Sequence, residues 1–177
     1  VKINNEFKEF TGNNDNITLS AGISLFKPVI PVARWVAAAE EALEEAKEKY
    51  NEKHDKEGRN QLGFLKNTIK WSKVPFLLKE AEKLSTWLKG EHVSVGLLWK
   101  MLLLSRWHKE YYFNNDARGL KYLPMLTYIL AKYFPPLSEC QGKLLEVRQW
   151  LEGLKQIEND NIVYLDFLIK YTFLTKE

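Results

Sequence analysis

The sequence predicts an α+β protein in two parts: a mixed strand-and-helix segment over residues 1–72 and an all-helical bundle over residues 73–177. Two observations carry this. Extended, β-rich stretches occur only before Trp71. After it, apolar residues recur at helical spacing between Gly and Pro stops, with no further strand signal.

The first part opens on a short helix, where Ile3, Phe7 and Phe10 share one face and Gly12 supplies the stop. A polar turn, Asn13 to Asn16, leads into Ile17-Thr-Leu-Ser-Ala-Gly-Ile-Ser-Leu-Phe26, whose alternation and small central residues read as a buried strand. Small residues there allow something to approach the backbone closely. Pro28 and Pro31 break the strand, and Pro31 suits a first helical turn. Val32, Trp35, Val36, Ala39, Leu43 and Ala46 then form one stripe, backed by a glutamate-rich face. A charged loop from Lys49 to Arg59 passes through Gly58 into a second strand, Gln61–Leu65. Thr68–Trp71 makes a third extended piece, and Ser72 and Pro75 suit the opening of another helix.

In the second part, Leu77, Leu78, Ala81, Leu84 and Leu88 stripe a helix stopped by Gly90. A longer helix covers Val93–Phe113, and a third covers Leu120–Phe134 before Pro135 and Pro136. Leu144, Val147, Leu151 and Leu154 mark a fourth, and Ile162, Leu165, Leu168 and Ile169 a fifth. Short connections between them predict a bundle.

Composition narrows the function classes. Hydrophobic residues make up 45% of the 177, enough for a packed core, and a net charge of +3 permits a nucleic-acid partner without implying one. One cysteine, Cys140, excludes an internal disulfide, and His54, His92 and His108 have no zinc-site spacing. These features suit a reducing, cytoplasmic compartment. The most apolar run, Leu97–Leu104, is interrupted by Lys100 and falls short of the roughly 20 residues of a membrane span. No signal peptide is evident, and an opening at Val1, directly on amphipathic sequence, reads as truncation or cleavage.

The order of strand, Ser20-Ala21-Gly22, long Ala/Glu helix ending in Ala46-Lys47, Gly58-Arg59-Asn60 and strand is similar to the C-terminal half of GGDEF-type cyclase palms. The longer run Ile17-Thr-Leu-Ser-Ala-Gly-Ile-Ser-Leu-Phe-Lys-Pro28, with Pro31, Lys47 and Lys70-Trp71-Ser72, resembles the large subunit of type III CRISPR-Cas complexes, the Cas ten family in its Csm form. Leu120-Lys-Tyr-Leu-Pro124 and Tyr128-Ile-Leu130 agree with that subunit's C-terminal helical domain. The resemblance implies the C-terminal half of a ferredoxin-like palm, followed by a helical bundle.

The resemblance further implies a parent protein that polymerises ATP into cyclic oligoadenylate, using Mg or Mn, when target RNA binds. It implies an HD nuclease domain for single-stranded DNA elsewhere in that parent. Implied partners are the other subunits of the complex, guide RNA, target RNA and ATP, with no membrane. The family's metal-binding Gly-Gly-Asp-Asp is absent, since the sequence has no Gly-Gly or Asp-Asp pair. Two-metal chemistry needs such carboxylates, so this chain alone is expected neither to be a cyclase nor to hold a cofactor.

Four residues carry the expected nucleotide contacts. Lys47 matches the family's phosphate-reaching lysine, a role an ammonium fills as a point charge. Ser20 and Gly22 offer a hydroxyl and close backbone approach, although the same residues suit a strand packed under a helix. Arg59 matches the phosphate-binding arginine across a longer insertion, and its plainer role is a turn residue. Elsewhere, Trp99, Trp107, Tyr111 and Tyr112 with Arg106, His108 and Lys109 have the composition of an RNA-stacking surface, but the spacing is that of core plus helix rim. Neither His108 nor Cys140 has a catalytic partner nearby in sequence. A GGDEF diguanylate cyclase fragment and a non-catalytic helical interaction protein are the two alternatives.

Overall fold

A computed structural model describes residues 2–48 and 59–175, which fall into two compact units, Val1–Phe76 and Leu77–Glu177. The expected charged loop over 49–58, Gly58 included, lies outside the described residues.

In the first unit, α1 (Lys2–Phe10) ends at Gly12, whose φ of +64° is a conformation that glycine adopts without strain. Its apolar positions do not face a core. Ile3 and Phe10 are exposed, and Asn4 is the buried residue. The expected buried strand over 17–26 also needs correction. Only Ala21–Ile23 form β1, and Ile17, Ile23, Leu25 and Phe26 are all exposed. The physical reason is position: β1 is an edge strand with one neighbour, so the apolar residues flanking it have no second strand to cover them.

The sheet order is β1-β2-β3, where β2 spans Gln61–Phe64 and β3 spans Asn67–Lys70. β1 pairs parallel with β2, Ala21 opposite Leu62, and β2 pairs antiparallel with β3, Gln61 opposite Lys70. The β1–β2 crossover runs through α2 (Val32–Glu48), as a parallel pair requires.

Packing of α2 on this sheet is unusually close. A Cβ on Gly22 would sit 2.3 Å from the Ala39 carbonyl oxygen, and one on Gly63 would sit 2.1 Å from that of Ala42. Glycine in the strands and alanine on the helix therefore let the two backbones touch. This rotates the helix relative to the predicted stripe: Ala39, Ala42, Leu43 and Ala46 turn inward, whereas Val32 and Val36 are exposed.

β2 and β3 are joined by Leu65 and Lys66, both left-handed at φ +53° and +61°. Two successive positive φ values define the hairpin turn whose twist matches the strands, a turn that usually employs Asn-Gly. Here the side chain of Asn67 reaches back to the Leu65 carbonyl oxygen at 3.0 Å and supports it. Trp71 closes the other end of the sheet. Its ring N–H donates to the Leu19 carbonyl oxygen at 2.7 Å and its backbone N–H to Asn60 at 3.4 Å.

The second unit is helical throughout its described residues. α3 (Val74–Lys89) begins in the first unit and continues into the second. It is followed by α4 (Val95–Asn114), α5 (Tyr122–Tyr133), α6 (Gly142–Gly153), the short α7 (Asp160–Val163) and α8 (Leu165–Leu174). These correspond to the five apolar stripes, the last of them broken at Tyr164. Ser94 caps α4 by accepting from the Leu97 N–H at 3.1 Å, and Asn115 ends it in the left-handed conformation. Leu98, Leu104, Leu126, Leu151 and Phe167 are among its fully buried side chains.

A charge lies inside this bundle. Glu80 is 3% exposed, and its carboxylate accepts from the Trp150 ring N–H at 2.6 Å and from the Asn161 amide at 3.4 Å, with Lys83 as its ion-pair partner. A single side chain on α3 thus ties together α6 and α7. Trp150 also meets Trp87 edge-on, at 5.9 Å between ring centres.

Candidate nucleotide-contact site

Topology gathers three of the four expected contact residues at one end of the small sheet. Ser24, just after β1, donates from its hydroxyl to the Trp35 carbonyl oxygen at 2.9 Å, which sets the start of α2 beside the end of β1. The helix then runs back over Gly22, so its last turn, carrying Lys47, lies toward the start of β1, where Ser20 precedes Ala21. Parallel pairing puts Arg59 and Asn60, which precede β2, at that same end.

The individual geometries differ in what they offer. Lys47 is exposed and bonded to Glu44 at 2.7 Å, one helical turn back. An exposed pair of this kind contributes only about 0–1 kcal/mol, so a polyanion could displace Glu44 readily. Ser20 is half-buried. Arg59 is exposed in a left-handed turn, φ +74°, followed by Asn60 at +52°. Gly22 does not share this environment, because the space where its Cβ would be is occupied by the backbone of α2.

A polar cavity that the sequence did not reveal lies beside this end. It measures about 80 Å³ and is walled by Asn4, Asn13, Asn14, Asp15, Thr18 and Asn60, among others. None of the four expected residues lines it, although Leu19 and Asn60, the neighbours of Ser20 and Arg59, do. The asparagine-rich run after Gly12 was the available signal. Read as a turn, it gave no reason to bring Asn4 and Asn60 alongside.

In the second unit, the aromatic and basic series on α4 divides. Tyr112 and His108 are buried, Trp107 and Tyr111 are half-buried, and Trp99 is 61% exposed against Phe173. Trp99, Leu103, Arg106 and Lys109 line an open groove of about 600 Å³ with Asp166 and Lys170 of α8. Asp166 ion-pairs with both Lys109 and Lys170. Cys140 is buried, with its sulfur 3.5 Å from the Pro135 carbonyl oxygen.

His108 is a core residue. Its Nε2 lies 2.7 Å from the Ile157 carbonyl oxygen, which can only accept, so Nε2 carries the proton. Nδ1 is then a bare acceptor with no partner among the described residues, and the ring stacks on Tyr112. Burial holds its pKa below the ordinary 6.5, with a smaller contribution from the Lys109 charge, against the raising effect of the Ile157 hydrogen bond. The unfolded chain therefore binds a proton near pH 6.5 that the folded chain resists. Stability conferred by neutral His108 is complete above that pH and declines as pH falls below it. Urea midpoints between pH 8 and 5 should fall more steeply for the natural protein than for His108→Gln. Parallel curves would refute the assignment.

Among the described residues, no helix is long and apolar enough to cross a membrane, and no three His, Cys, Asp or Glu side chains are placed to hold a metal ion. In comparisons with known proteins, no curated protein and no solved structure matches. Residues 1–62, about a third of the chain, do match the model of the Cas10/Cmr2 second palm domain, so the strand-and-helix segment is similar to that palm.

Proposed function

We propose that residues 1–72 complete the nucleotide-binding palm of a type III CRISPR large subunit of the Csm type. The helical domain, 73–177, docks the subunit onto small helical subunits and guide RNA. The observation that carries this reading is the family match over residues 1–62, joined to a β1–α2–β2 crossover whose β1 has one unpaired edge. Such an edge is a template for strands supplied from outside the unit.

In this reading ATP is the substrate, and the parent joins it into cyclic oligoadenylate once target RNA is bound. Lys47 exchanges Glu44 for a phosphate oxygen, Ser20 contributes a hydroxyl at the start of β1, and Arg59 lies exposed at the same end to meet the polyphosphate. Gly22 has a supporting part, since it seats α2 and so fixes where Lys47 stands. Metal ligands belong to another part of the palm, and this chain's share is to bind and orient phosphate.

Lys47→Ala in the full-length parent tests the assignment. Loss of a charge-assisted contact of about 1.5–3 kcal/mol should weaken ATP binding roughly 10- to 100-fold and reduce oligoadenylate synthesis in parallel. Unchanged ATP affinity and synthesis would remove Lys47 from the site. Preference of the parent for GTP over ATP would favour a diguanylate cyclase.

A further inference from the structure

The side of the bundle formed by α4 and α5 carries a set of cations and aromatic rings that the palm reading leaves unused. Lys121, at the N-cap of α5, and Met125, Tyr128 and Lys132 within it follow one another at spacings of four, three and four residues, along one side of the helix over about 16 Å. All four are exposed. Lys121 sits over the Trp107 ring of α4 at 4.6 Å, and Lys100 of α4 sits over the Tyr133 ring at 4.5 Å while its ammonium donates to that phenol's oxygen. Lys132 lies 5.8 Å from the centre of the same ring and 3.1 Å from the Tyr128 hydroxyl.

Carboxylates near this face are few among the described residues, and Asp116, which also attracts Lys121, is bonded to Arg118. From Ala117 to Ser138 the sequence contains Arg118, Lys121 and Lys132 but no Asp or Glu. The acidic residue of α4, Glu110, lines the groove shared with α8, and Asp116 is held by Arg118 through both carboxylate oxygens. None of Lys100, Lys121 and Lys132 forms an ion pair among the described residues. Two ammonium groups are instead held near one phenol ring by cation–π attraction, an arrangement that an approaching anion relieves of its like-charge repulsion.

We propose that this α4–α5 face binds single-stranded nucleic acid, with Lys100, Lys121 and Lys132 meeting backbone phosphates and Tyr128 and Tyr133 offering stacking surfaces to bases. The chemistry follows from the residue types. Lys100 of α4 with Lys121 and Lys132 at either end of α5 track phosphates, and the Tyr128 and Tyr133 rings, on which Lys100 and Lys132 now rest, take unpaired bases of any sequence once those ammonium groups turn to phosphate. The groove beside Trp99 is a poorer candidate, because its lysines are already engaged by Asp166. The Tyr128 hydroxyl also holds the Lys132 pKa above its ordinary value, which favours the charged form. The inference gives a place to the RNA contact of the proposed function, yet its assay contains no ATP, so its failure and that of Lys47 are read separately.

The test is fluorescence anisotropy of labelled oligouridylate and oligodeoxythymidylate with the 177-residue chain. Three neutralised phosphates predict a log–log salt slope of about −2 between roughly 50 and 200 mM salt. The pair Lys100→Glu and Lys132→Glu should weaken binding at least about tenfold and flatten that slope. Tyr128→Ala with Tyr133→Ala should weaken it by about fivefold or more and leave the slope in place. Lys143→Glu on α6, whose lysine pairs with Glu146, serves as a charge control and should bind as the natural chain does. Binding by either oligonucleotide supports the face, and their ratio tells RNA from DNA. Equal affinity for duplex, binding to anionic vesicles in preference to either strand, or undiminished binding by the folded lysine variants would each overturn it.

Discussion

Gly63→Ala should largely disassemble the first unit. The added Cβ would fall 2.1 Å from the Ala42 carbonyl oxygen and 3.2 Å from the Ala42 Cβ, with strand backbone on one side and helix backbone on the other. Alanine ordinarily gains about 0.4–1 kcal/mol over glycine by restricting the unfolded chain. Overpacking between two backbones loses about 3 kcal/mol, so the clash wins. Hydrogen exchange over residues 61–70 should accelerate on the order of 30-fold or more, while the amides of residues 95–114 stay protected. Equal protection in the variant would mean that α2 lies farther from β2 than these contacts require. Gly22→Ala should act in the same direction through Ala39 and Leu43.

The second large effect belongs to Glu80. Removing its carboxylate leaves the Trp150 ring N–H without its acceptor and takes one from Asn161, while the exposed Lys83 is left to solvent. A buried donor left without its acceptor costs about 1–3 kcal/mol. We expect Glu80→Ala to lower the unfolding midpoint of the second unit by about 5–15 °C. Glu80→Gln, which keeps an acceptor for Trp150, should lie between the two. A loss below about 1 kcal/mol for the alanine variant would show that water replaces the carboxylate.

Much of the architecture was legible because periodicity reports burial directly. The switch from strands to helices near Trp71, the two extended pieces on either side of Leu65-Lys66, and the stops at Gly90 and Pro135 are local signals with local causes. The errors arose where burial depended on what lies opposite. Ile17, Leu25 and Phe26 alternate as a core strand does, but alternation cannot say whether another strand covers them. Likewise Val32 and Val36 fit the stripe, yet the inward face of α2 was set by two glycines in other elements.

The candidate site divides along the same line. The resemblance to a cyclase palm pointed to Lys47 and Arg59, with Ser20 beside them, and backbone topology brings them to one end of the sheet. Sequence offered no means of choosing between Gly22 as a ligand contact and Gly22 as a seat for α2, because both need the same absent Cβ. The polar cavity joins Asn4 to Asn60 across more than fifty residues, and no local pattern encodes such a meeting. The lysine–tyrosine face was missed for a related reason: at single-residue level Lys100 and Tyr133 are ordinary surface positions. Their pairing becomes visible only when α4 and α5 lie side by side.

The hairpin turn at Leu65-Lys66 bears on how the first unit assembles. Left-handed conformations cost a non-glycine residue about 1–2 kcal/mol each, so this turn is a weak initiator and β2–β3 gains little from forming first. The remaining contacts join Ala21 to Leu62, a loop whose closure carries an entropy of about 3 kcal/mol before any pairing repays it. The second unit closes longer loops still, since Glu80 meets Trp150 and Asn161 and the Thr172 hydroxyl donates to the Ala81 carbonyl oxygen. Within the first unit the consequence is an order of events: the small sheet waits for α2 to bring Ala39 and Ala42 onto its two glycines before either strand pairing repays its cost.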